Sequence, residues 1–137
     1  MRPRDKLVVL SLCSLLLAVL TILLSHVVPD RTYSPAIAGV ITGLLLSALV
    51  IRYRGGFVEL AALGTATSVL GILLSTLLYY IIVGMQLQAI TGVNILEYIT
   101  MMVRSGVLLV RFLTDFVMGL AFLLTTAGII AIVVIGE

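Results

Sequence analysis

Long apolar runs separated by short polar breaks set the pattern of this chain. Leu7 to Val28 runs for 22 residues without a formal charge. At about 1.5 Å per residue that is enough to cross a hydrocarbon core of about 30 Å. Pro29 and Pro35 bracket the polar turn Asp30-Arg31-Thr32-Tyr33-Ser34, and Pro35 suits the first turn of a second helix. That helix is expected over 35–51, lengthened by Tyr53 at an interface and by Arg52 and Arg54 reaching water. Gly55-Gly56 reads as the next turn. A third span is expected over about 60–83, with Tyr79 and Tyr80 as interface anchors, and the last over 116–136. The glycines and amides of Gly84 to Gly92 place the outer connection there.

Between that connection and the last span, the pattern changes. Glu97, Arg104, Arg111 and Asp115 are four of the six charges beyond Arg54, and on one straight helix they would share a single face. A helix from Val93 to Gly136 would be about 66 Å long, twice the hydrocarbon thickness. The chain must therefore bend, and Gly106 and Gly119 are the soft points. The reading adopted is an amphipathic helix over about 94–111, lying in the interface or projecting against protein. A fifth span is the costlier alternative, since ionisable side chains are expensive at membrane depth.

Small residues recur within the spans at helical spacing. The first carries Ser11, Ser14, Ala18, Thr21 and Ser25; the second Gly39, Gly43 and Ser47, with a GxxxG; the third Gly64, Ser68, Gly71 and Ser75. A shorter stripe on the last span is Ala121, Thr125, Gly128 and Ala131. In lipid, helices associate through close backbone approach and hydrogen bonds rather than through hydrophobic burial. These faces thus predict helix packing within the chain, or, at Gly39/Gly43/Ser47, against another subunit.

Composition agrees with this class. The 137 residues are 62% hydrophobic and 10% charged, far from the roughly 25% charged of soluble domains. The fold expected is a single all-α integral membrane domain: four transmembrane helices in a small-residue-packed bundle, with the amphipathic helix before the last. Arg2, Arg4 and Lys6 place the N-terminus in the cytoplasm of a multi-pass cell-membrane protein. The net charge of +2 is scattered, which argues against nucleic acid as a partner. One cysteine, Cys13, excludes an internal disulfide or a cysteine metal cluster. His26 is the only histidine and reads as an interfacial residue.

No nucleophile elbow, phosphate loop or metal-spaced pair occurs, so no enzyme activity and no cofactor are expected. No diagnostic motif ties the chain to a family; small multidrug exporters would place a glutamate early in the first span, and Leu7 to Val28 has none. Two functions fit. One is a non-enzymatic structural, assembly or accessory subunit of a larger membrane complex or homo-oligomer, in contact with lipid. The other is a small homo-oligomeric channel or transporter whose path is lined by Glu97, Arg104, Arg111 and Asp115.

Overall fold

Pro3 and Asp5 suit a helix start, because proline gives up no hydrogen bond there and an acid meets the positive end of the helix dipole. In the computed structural model, which describes residues 2–27 and 33–135, α1 accordingly runs Pro3–Val27. The other helices are α2 (Ser34–Arg52), α3 (Phe57–Thr91), α4 (Ile95–Arg104) and α5 (Val107–Ile135), with no strand among the described residues. Val28, Pro29 and the polar residues Asp30 to Thr32 of the first expected turn lie outside the described residues, as do Gly136 and Glu137. Every helix except α4 is long and apolar enough to cross a membrane.

α2 closes on a left-handed residue that is not glycine. Arg54 has φ 59°. Its N–H donates to Ile51 O at 3.1 Å and that of Gly55 to Val50 O at 2.8 Å, the two bonds of a Schellman cap. The turn expected at Gly55-Gly56 therefore begins one residue early. Arg54→Gly is expected to stabilise the chain by about 1 kcal/mol, because only the L-residue strains the left-handed backbone. A raised thermal midpoint in detergent is the result to look for, and a lowered one contradicts the strain.

The stretch from Gly84 to Gly92 is not the connection its composition suggested. α3 continues through it to Thr91, since Gln and Met are ordinary helix formers. Gly84 serves packing: a Cβ there would stand 2.9 Å from Ile95 Cγ1 and 3.1 Å from Tyr98 Cδ1 of α4. The third helix is thus about 52 Å long by helical rise and ends at Gly92, where φ is 76°. Asn94 then caps α4, its side chain accepting the Leu96 N–H at 2.9 Å.

α4 has only ten residues, about 15 Å of helix, too short for a fifth crossing. Nor does the amphipathic helix run from 94 to 111. Gly106 adopts φ 76°, a conformation cheap only for glycine, and the chain turns there into α5. The last helix therefore starts at Val107, nine residues before the Phe116 expected from charge alone.

The four long helices touch round a ring in the order α1, α2, α5, α3, and α2 also touches α3. Leu17, Leu46, Ile72 and Leu123 fill the centre. Gly39 and Gly43 lie against α5 of the same chain: a Cβ on Gly39 would fall 2.7 Å from Gly119 O, and one on Gly43 2.8 Å from Leu123 O. The face α5 offers is Asp115, Gly119, Leu123, Ala127 and Ala131, all buried. Of the stripe expected on this helix only Ala131 is buried; Ala121 and Thr125 are exposed and Gly128 is half-buried. The reason is that rows spaced by four on α2 and α5 interlock, so the glycines of α2 make room for a large Leu123. The stripe hydroxyls also behave differently from expectation. Thr21, Ser25, Ser47, Ser68 and Ser75 each donate to a carbonyl of their own helix, three or four residues back.

Candidate functional site

The helical register places α4 beyond one end of the ring. Gly71 meets Leu17, and Val27 and Ile81 each lie ten residues further on, so α1 ends level with Ile81 of α3. The last ten residues of α3, all of α4 and the first turns of α5 extend past that level. Gly119 faces Ile72, and Pro35 O lies 3.8 Å from the position of its missing Cβ. Asp115, one turn earlier on α5, therefore sits at the rim where α2 begins.

At this rim Arg111 and Asp115 meet α3. Arg111 Nε lies 3.4 Å from Asp115 Oδ2, across one turn of α5. The guanidinium carbon stands 5.2 Å from the centroid of the Tyr79 ring, within cation–π range. Tyr79 in turn meets Tyr80 edge to face, with centroids 5.4 Å apart. Asp115 is only 5% exposed, while the Arg111 side chain keeps 22%. A cleft of about 430 Å³ opens beside the pair, walled by Tyr80 of α3, by Ser105 and Gly106 of the elbow, and by Val107, Val110, Arg111, Thr114 and Asp115 of α5.

Glu97 and Arg104 lie elsewhere. Both are exposed on α4 and border a separate open depression with Leu96, Thr100, Met101 and Ser105. The elbow at Gly106 therefore divides the four charges into two pairs, with Ser105 between the two hollows. Of the packing candidates, Gly39, Gly43, Ser47, Gly64, Ser68, Gly71 and Ser75 are all buried against neighbouring helices. Sequence spacing missed the contribution of Tyr79 and Tyr80, which stand 32 and 31 positions before Arg111, on α3. Their one signal was an aromatic pair at the expected interface depth.

Among the described residues no group of three His, Cys, Asp or Glu side chains could hold a metal ion. The chain matches no family model, no curated protein and no solved structure.

Proposed function

We propose that the chain is a non-enzymatic multi-pass subunit of the cell membrane, with a structural or assembly role beside other membrane-protein subunits. The observation that carries this reading is the helical layer beyond the ring. α4 has no buried residue, and the layer leaves large apolar side chains open, with Ile90 at 81% and Leu96 at 70% exposed beside Met85 and Val103. Apolar surface rimmed by polar groups marks an interaction site, and here Glu97 and Arg104 supply the rim. Lipid can cover the apolar sides of the four long helices, but a layer projecting past them needs a protein partner.

The orientation proposed puts the N-terminus in the cytoplasm. α1 and α3 run together and α2 and α5 run opposite, so Arg2, Arg4, Lys6, Arg52 and Arg54 gather at one end, as the positive-inside tendency favours. The division of the four charges between two hollows weighs against one polar path for a transported solute.

Photo-crosslinkers placed at Ile90 and Leu96 in native membranes test the reading. A discrete adduct with a second polypeptide, or with a second copy of this chain, is expected. Adducts with lipid alone, together with a lone monomer in several mild detergents, contradict it.

A further inference from the structure

We propose that the cleft at the α4–α5 elbow binds the phosphodiester headgroup of a membrane phospholipid. The inference rests on the membrane placement above and adds a ligand to it. Its first support is a pre-positioned cation. A guanidinium carries five N–H donors, and the Asp115 contact and the Tyr79 ring fix Arg111 in place without using them all.

The second support is independent of Arg111. Tyr80 is 6% exposed and borders the cleft, yet its phenol makes no hydrogen bond among the described residues. Its hydroxyl is not sealed from the surface and can take a partner from an occupant of the cleft. A phosphoryl oxygen in the cleft supplies one. The third is the start of α5: its ladder begins with Val110 N–H donating to Gly106 O at 3.0 Å, so the amides of Val107, Leu108 and Leu109 precede it and give this end of the helix partial positive charge.

Charge selects the ligand class. Arg111 and Asp115 cancel, and the end of α5 adds roughly half a positive charge. That balance suits the single charge of a phosphodiester better than the roughly two charges of a phosphomonoester. The cleft has the volume of a headgroup. The tyrosine pair places the site at the depth where phosphates lie.

The test is native mass spectrometry of the purified full chain, equilibrated in detergent with equal amounts of dioleoyl phosphatidylglycerol and dioleoylglycerol. The wild type is expected to retain the phospholipid selectively, and excess inorganic phosphate should not displace it. Arg111→Gln should lower retention by about tenfold, the scale of one hydrogen bond to a charged group. Val110→Trp, which fills the cleft and leaves the ion pair intact, should do the same and carries the test if Arg111→Gln does not fold. Arg104→Gln, on the exposed face of α4, should change nothing. Equal retention of both lipids, wild-type retention in folded Val110→Trp, or displacement by inorganic phosphate overturns the proposal, the last by identifying a free-phosphate site. Carbonate extraction of the source membranes is scored separately. A chain that resists extraction but holds no phospholipid loses this site and keeps its membrane placement, whereas an extracted chain loses both.

Discussion

Gly39→Leu is expected to destabilise the chain by about 3 kcal/mol or more, the upper range for overpacking a close contact. The size follows from what the new side chain would meet. A Cβ at Gly39 already falls 2.7 Å from Gly119 O and 3.3 Å from Leu123 N. Both are backbone atoms of α5, so no rotamer change relieves the clash and the helices must separate. Gly64 provides a contrast, because its neighbours at 2.6 Å and 3.1 Å are the Cδ2 atoms of Leu124 and Leu123, which can turn aside. Gly64→Ala should therefore cost about 1 kcal/mol at most. Gly128 has nothing within 4 Å, and Gly128→Ala is expected to stabilise by about 0.5 kcal/mol through helix propensity. Thermal or denaturant unfolding in one detergent ranks the three. A Gly39 variant as stable as the Gly128 variant would show that α2 and α5 do not pack as described.

The ion pair should respond asymmetrically to truncation. Arg111→Leu leaves Asp115 buried without its cation, and removing one partner of a buried pair costs about 3 kcal/mol. Asp115→Leu is expected to cost less, because Arg111 is partly exposed and its long side chain can carry the charge toward water. The double variant Arg111→Leu/Asp115→Leu should recover much of the loss, since apolar replacement of both partners removes the buried charge together with its cation. A double-mutant cycle measures the coupling. Additive losses would mean that the 3.4 Å contact contributes nothing to the fold.

The helices themselves were readable from the chain because each long apolar run exceeds what a loop can bear. Their ends were less so. Gly84, Gln86 and Gln88 look like loop residues, yet α3 passes through them because α4 folds back onto Gly84, a contact that a linear reading does not contain. The sevenfold spacing of Glu97, Arg104 and Arg111 predicts one face only for an unbroken helix. Gly106 was visible as a weak point, but nothing local decides whether a glycine bends a helix or ends it. The small residues Ala121, Thr125 and Gly128 on the last helix do not form its packing face for a related reason: the space is already provided by Gly39 and Gly43 opposite. The rim cluster joins Tyr79 to Arg111 across two helices, and such a meeting depends on register between helices rather than on any spacing along one of them.

The unequal lengths of α2 and α3 have a mechanical consequence for a bilayer. α2 has 19 residues, about 28 Å by helical rise, and lies between Pro35 and Arg52. Because its glycines are seated against α5, α2 cannot tilt on its own to suit a thicker or thinner bilayer. The rigid set must tilt as a whole, or the lipid must adjust. In the proposed membrane setting the shortest of the four long helices would act as a ruler for the bilayer, and a change in bilayer thickness would move α4 and the elbow as the far end of a lever.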